Sequence, residues 1–338
     1  MIVEEKDASE EQRAITEINA GIYVFDAAVL RHALSQLGQD NSQGEMYLTD
    51  VIGIARGDGG RIHSFVAPDA AATEGVNDRV QLAKAGRALN KRIVRGWMRE
   101  GVTVVDPATT WIDANVTLGQ DATVLPGTQL HGATHIDAGA IVGPDTTLTD
   151  VTVGANAHVF RTHATEAQIG AKASVGPFAH LRPGSIVGEG GKIGEFVGVK
   201  NSTIGAGAKV PHLSYVGDAE IGEGTNVGAG TIFVNYDGVN KHHSSVGAHV
   251  RIGSDNTLIA PLIIGDGAYT GAGTTVRHDV PPGALAINSS GQQNVDGWVE
   301  RRRAGTTSAE AAAKALNDSH GISSTPPAHE GEDSKGDA

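Results

Sequence analysis

The chain has 338 residues, 46 glycines, no cysteine and a formal net charge of -13. Zero Cys excludes disulfides, thiol catalysis and Cys-based metal sites, and no stretch reaches the ~20 apolar residues of a membrane span. Aromatic residues are only 4%, which excludes a conventional aromatic-rich core, while 39% hydrophobic content argues against low-complexity disorder. The length suggests about two domains. The N-terminus does not read as a signal peptide, so a cytoplasmic protein is expected. The acidic balance argues against nucleic acid as a partner.

Residues 1–77 read as part of an α/β domain. Gly21–Phe25 has a strand pattern and 27–37 an amphipathic helical one, but the segment carries no Gly-rich phosphate loop. Residues 78–100 read as a linking helix. Its apolar positions are Val80, Leu82, Leu89, Ile93, Val94, Trp97 and Met98. Arg79, Lys84, Arg87, Lys91, Arg92, Arg95 and Arg99 make the rest basic. Such a charge run is usually a solvated face; an anion-binding role stays open.

From there to residue 287, aliphatic residues recur every six positions: Ile112, Leu118, Val124, Leu130, Ile136, Val142 and Leu148. One-residue slips precede Val153, Ile204 and Ile221, and the run ends at Val276 with Thr270 as an exception. Neither helix nor plain strand has this period. A coil of three flat faces does, with one aliphatic residue pointing inward per face and about eighteen residues per turn. About nine turns fit between 112 and 276. A glycine often follows the aliphatic residue, as at Gly119, Gly154 and Gly228. A corner that needs positive φ would favour it. The repeat breaks between Val227 and Val246, where Phe233-Val234-Asn235-Tyr236-Asp237-Gly238-Val239-Asn240-Lys241 should protrude as a loop. Residues 288–303 read as an arm and 304–338 as a disordered tail.

A regular coil needs no reactive groups, so its departures are informative. His212 and Tyr215 lie three apart beside one corner. His is the default general base near neutral pH. Arg182 and Lys200 are eighteen residues apart, so they should stack on one edge. Two cations ~5 Å apart repel unless an anion sits between them, and phosphate is the natural candidate. His212 falls two faces further round from Lys200, where a second subunit could bring it near.

The stretches Gly176–Gly184 (GPFAHLRPG), Val210–Asp218 (VPHLSYVGD) and Val234–Gly238 (VNYDG) resemble the bifunctional GlmU family, N-acetylglucosamine-1-phosphate uridyltransferase fused to glucosamine-1-phosphate N-acetyltransferase. Pro211-His212-Leu213 and the run at 281–286 are most similar to the actinobacterial branch. The resemblance covers about residues 2–303. It implies a left-handed parallel β-helix (mainly β, a hexapeptide-repeat fold), preceded by the end of a nucleotidyltransferase domain. It also implies a homotrimer with acetyl-transfer sites between subunits.

The resemblance makes His212 the catalytic base. Arg182, Lys200, Tyr215 and Asn226 would hold glucosamine-1-phosphate. Ala229, Asn235, Tyr236, Ser254 and Ala272 would line the acetyl-coenzyme A site. An arginine that many members carry near Ser289 is missing, and Trp298 with Arg301–Arg303 would take its place. About the first 150 residues of the family, with their Gly-rich loop and metal-binding Asp, have no counterpart. Glu4, Asn19 and Asn77 match remnant nucleotide-sugar positions, Asn77 also a metal position, and Mg2+ would serve only the family's uridyl transfer. That transfer is expected to be lost. The alternatives are a hexapeptide-repeat acyltransferase with another acceptor, such as serine or a lipid-A sugar, and an inactive trimeric assembly module.

Overall fold

The computed structural model describes residues 2–288, 291 and 294–319; Ser289 lies outside them. Among these residues, thirty short strands build a triangular parallel coil between Thr103 and Ala286. They form three all-parallel sheets of eleven, ten and nine strands, here called faces A, B and C. Face A starts at Thr103–Val104, face B at Trp111–Ile112 and face C at Thr117–Leu118. This is the parallel β-helix that the period of six predicts, at about ten turns rather than nine. The extra turn comes from both ends, where Val104 and Ala286 continue face A beyond the counted repeat.

Each strand places one side chain inward, and the inward column is aliphatic. Leu130, Leu148, Ala164, Leu181, Val199 and Val216 succeed one another up face B, all fully buried. Burying such a side chain contributes roughly 1.5–3 kcal/mol, so a narrow core suffices because every turn repeats it. Two inward positions are not aliphatic in the way the repeat suggests. Ala164 fills the face B slot between Val159 and Ile169. Phe233, also fully buried, continues face B where the repeat reads as broken. The true protrusion is therefore shorter, residues 235–243. Thr270 is buried because its Oγ1 accepts the Gly253 N–H at 2.9 Å.

Most glycines after the aliphatic residues, Gly119, Gly154 and Gly228 among them, are not in the left-handed region, whereas Gly143 (106°) and Gly176 (109°) do have positive φ. Positive φ falls two residues later, at Asp121 (59°) after Gly119 and at Asn156 (57°) after Gly154. What the first glycine provides is close approach. A Cβ at Gly119 would lie 2.5 Å from the Ala138 nitrogen, and one at Gly154 would lie 2.6 Å from that of Ala171. The one-residue slips also have an address. The corners between faces B and C at Asp150, Asn201 and Asp218 turn through a single left-handed residue, with φ of 54°, 43° and 50°.

Before the coil, helix α1 spans Glu10–Arg13, α2 Ala27–Leu34, α3 Asp50–Gly57 and α4 Arg79–Arg99. The expected strand at 21–25 does not form: Val24 is 99% exposed, and the rings of Tyr23 and Phe25 stack 5.4 Å apart. A strand needs a neighbour to pair with, and among the described residues this segment has none. The linking helix is α4, capped by Asp78 accepting from the Gln81 N–H. It closes the first turn of the coil. Asn90 donates to the Thr110 carbonyl at 2.8 Å and accepts from the Ile112 N–H at 2.9 Å, while Val94 joins the core. Val80, Leu82, Leu89 and Met98 stay exposed, so only the last half of the apolar stripe is used.

Residues from 288 onward form a separate unit. It holds α5, Trp298–Arg303, and α6, Thr307–Ser319. The tail expected to be unstructured thus carries a helix, because the alanine-rich stretch TSAEAAAKALNDS has high helical propensity. Residues 320–338 lie outside the described ones.

Candidate active site

Two corners border face B, and the reactive residues divide between them. At the B–C corner, Arg182 and Lys200 follow paired residues Leu181 and Val199, so the two cations stack as their spacing predicts. Their backbones are ~4.8 Å apart, one strand spacing. The next turn places Gly217 beside Lys200 and Asp218 just beyond. The Lys200 ammonium is 3.8 Å from the Asp218 carboxylate.

Asp218 is the hub of this corner. Its oxygens accept from Asn201 Nδ2 at 2.7 Å and from Asn235 Nδ2 at 2.5 Å. Burial opposes its ionisation. The bonds from Asn201 and Asn235 and the charges of Lys200 and Lys241 outweigh burial and hold the carboxyl below its usual range. Lys200 is pushed the other way from a usual lysine. The adjoining Lys241 side chain, then burial, and then the charge on Arg182 lower it, against the pull of Asp218. Lys200 and Lys241 therefore act on one buried carboxylate and Arg182 acts on Lys200, which leaves excess positive charge for an anion.

Tyr215 opens face B one turn above Gly198. Two glycines make room for its ring. A Cβ on Gly198 would touch Tyr215 Cδ2 at 3.6 Å, and one on Gly217 would collide with the Tyr215 hydroxyl. The protruding loop closes through a bridge between Tyr236 and Lys241. Asp237 organises it, accepting from His242 Nε2 at 2.7 Å and from the Val239 and Asn240 N–H groups. The His242 bond first, then those backbone donors, hold the Asp237 carboxyl far below its usual range.

His212 ends a face A strand, at the A–B corner. Leu213 turns that corner at φ 49° and Tyr215 starts face B. His212 and the cations thus lie at opposite edges of the same face, not two faces apart. Counting forward from Lys200 gives two faces; counting back from the next turn gives one strand. Along the same corner, successive turns place Glu195, His212, Ala229, Ser254 and Ala272. Glu195 registers with His212. Gly230 N donates to the His212 carbonyl, Asp255 N to Ala229 and Gly273 N to Ser254. Glu195 Oε1 lies 2.5 Å from His212 Nδ1. Its own backbone N–H and the His212 ring hold the Glu195 carboxyl below its usual range. Asn226 is on face A, between Lys209 and Arg251.

Lys241 and Glu195 are site residues that the sequence reading missed. Glu195 had a signal: it precedes His212 by seventeen residues, one turn of the coil. Glu4, Asn19 and Asn77 each have a hydrogen-bond partner within residues 2–99. Glu4 accepts from Thr49 at 3.4 Å, Asn19 donates to Tyr23 at 2.7 Å, and the Asn77 backbone donates to Gln81 at 2.7 Å. Among the described residues no group of three or more His, Cys, Asp or Glu is placed to hold a metal ion. No helix among them is long and apolar enough to cross a membrane. In the separate C-terminal unit, Arg303 stacks over the Trp298 ring at 5.1 Å.

The site and coil define a hexapeptide-repeat β-helix protein with a histidine at one corner of a face and a cationic cluster at the other. No family model matches the chain. It is 58% identical to the bifunctional protein GlmU of Corynebacterium jeikeium over 330 residues, covering 97% of this chain and 68% of that protein. It is 58% identical to GlmU of Corynebacterium efficiens over 316 residues (94% and 65%) and 60% identical to that of Rhodococcus opacus over 314 residues (93% and 63%). The chain belongs to the GlmU family, and it spans about two thirds of the length of these relatives. Among solved structures, it is similar to an Arabidopsis UDP-N-acetylglucosamine acyltransferase at 17% identity and TM-score 0.35, covering 68% of this chain and 81% of that one. It is also similar to the polysialic acid acetyltransferase NeuO at 14% identity and TM-score 0.25 (65% and 99%). Likeness at that level carries no argument about function.

Proposed function

We propose that this chain transfers the acetyl group of acetyl-coenzyme A to the amine of glucosamine-1-phosphate. The observation that carries the reading is the pairing, on one face, of a cation cluster with a histidine at the opposite corner. Arg182, Lys200 and Lys241 take the phosphate, with Tyr215 and Asn226 on the sugar. A sugar amine is largely ammonium at neutral pH and cannot attack a thioester. His212 removes its proton, the freed amine attacks the thioester carbonyl, and the C–S bond breaks. The coenzyme leaves as thiolate and is protonated, so a proton, an amide and a thiol account for all atoms.

The small side chains of Ala229, Ser254 and Ala272 above His212 suit an extended pantetheine arm, while Asn235 and Tyr236 leave the opposite corner of face B, so their part in the coenzyme site rests on the resemblance. Trp298 is assigned to the coenzyme on the resemblance alone. A homotrimer with shared sites is part of this reading. Phe178, Phe196 and Leu213 support it, because they are exposed in successive turns of the corner that carries His212. The direct experiment is thiol release from acetyl-coenzyme A with glucosamine-1-phosphate as acceptor. Release that depends on the acceptor is expected. A folded protein that releases no thiol with this acceptor overturns the reading, and release with serine or a lipid-A sugar instead would reassign it.

A further inference from the structure

We infer that Glu195 is a positioning residue that sets the ring tautomer of His212 and so makes it a base; this rests on the acetyl-transfer reading above. A neutral imidazole carries one proton on either of two nitrogens, and only the bare nitrogen accepts another. Glu195 Oε1 sits 2.5 Å from Nδ1. A carboxylate is acceptor-only, so the shared proton belongs to Nδ1 and the lone pair is left on Nε2. Among the described residues Nε2 makes no hydrogen bond, so it is free to meet a substrate ammonium.

The geometry is built rather than accidental. Glu195 and His212 are registered partners on adjacent strands, so a one-residue slip would separate them. The backbone on each side is fixed. Leu213 N donates to the Glu195 carbonyl at 3.0 Å, and the His212 carbonyl accepts from Ser214 Oγ at 2.7 Å. Both side chains are about half-exposed, at 40% for Glu195 and 47% for His212, so the pair opens onto the corner where the coenzyme-site residues run. The ring could otherwise turn its Nδ1 to water and take the opposite tautomer, which free imidazole side chains favour. Carboxylate–imidazole pairing of this kind fixes both tautomer and ring orientation in many unrelated sites.

The test has two independent readouts. Nitrogen-15 NMR of the full chain, labelled at histidine, reports which ring nitrogen is protonated at neutral pH. The His212 signals are assigned by their loss in His212→Asn. Wild type should show Nδ1 protonated and Nε2 bare. Glu195→Ala should move the proton to Nε2, and Glu195→Gln should keep it on Nδ1, because an amide oxygen still accepts. In the thiol-release assay Glu195→Ala should lower kcat about 10- to 100-fold, part of what a general base contributes. KM for both substrates should stay unchanged, and Glu195→Gln should recover most of the loss. An unchanged tautomer in Glu195→Ala overturns the inference, as does a changed tautomer with wild-type kcat. Should wild type release no thiol, the acetyl-transfer reading falls by itself, while the NMR arm still decides the pairing.

Discussion

Lys200 and Asp218 lie on neighbouring turns at the same corner, 3.8 Å apart, and each moves the other toward its charged form. Asp218 is the more deeply placed of the two, at 12% side-chain exposure. Its folded pKa is depressed, so its stabilisation is complete above the ordinary value of 3.8 and is lost as pH falls through the lower folded value. Asp218→Ala should therefore destabilise the fold at neutral pH by about 1–3 kcal/mol, since Asn201 and Asn235 lose their acceptor. In urea titrations between about pH 2 and pH 6, the variant should lose less stability on acidification than wild type. Parallel curves for the two proteins would show that the Asp218 carboxylate does not contribute.

Arg182 and Lys200 carry the anion in the proposed reaction. A hydrogen bond to a charged group contributes about 1.5–3 kcal/mol. Lys200→Ala or Arg182→Ala should thus raise KM for the sugar phosphate roughly 10- to 150-fold, with little change in KM for acetyl-coenzyme A. Raising the salt should weaken sugar-phosphate binding more in wild type than in either variant. An equal rise in both KM values would place these cations elsewhere than on the phosphate.

Much of this was legible in the sequence, because a coil turns sequence distance into spatial distance. Arg182 and Lys200 stack for that reason, and Glu195 could have been found by stepping back one turn from His212. Lys241 could not. The loop at 235–243 interrupts the count, and only its Tyr236–Lys241 bridge returns the lysine to Lys200. Phe233 was hidden by its size, since an aromatic does not look like the next step of an aliphatic column. The strand pattern at 21–25 is real as a pattern, yet a strand is a property of two segments and its partner is not among the described residues.

The glycine role read from the sequence, positive φ, holds at Gly143 but not at most glycines of the series, and substitution can separate it from close approach. Gly154 has ordinary φ but no space, with a Cβ 2.6 Å from the Ala171 nitrogen. Gly190 has φ 63° and nothing within 4 Å. Gly154→Ala forces neighbouring turns apart and should cost about 1–3 kcal/mol or more. Gly190→Ala meets only the left-handed backbone penalty of roughly 1–2 kcal/mol, and Gly190→Asn should cost less because Asn tolerates that region. Asn156 already occupies such a corner. Thermal melts of the three variants test this, and equal losses for Gly154→Ala and Gly190→Asn would return the explanation to φ.

The corner above His212 gives the last expectation. Ala229, Ser254 and Ala272 succeed one another over three turns, and the carbonyls of Ala229 and Ser254 each accept a backbone bond from the next turn. Small side chains there leave a shallow track beside the histidine, and the proposed reaction lays the pantetheine arm along it. Ala272→Trp fills the far end of the track without touching His212, Glu195 or the cations. KM for acetyl-coenzyme A should rise at least about tenfold, the effect of losing on the order of 1.4 kcal/mol of binding, while KM for the sugar phosphate holds. A shorter thioester such as acetyl-pantetheine, which ends before the remote part of the coenzyme, should be less affected by the same substitution. Unchanged coenzyme KM in Ala272→Trp, with the protein still folded, would move the arm off this corner.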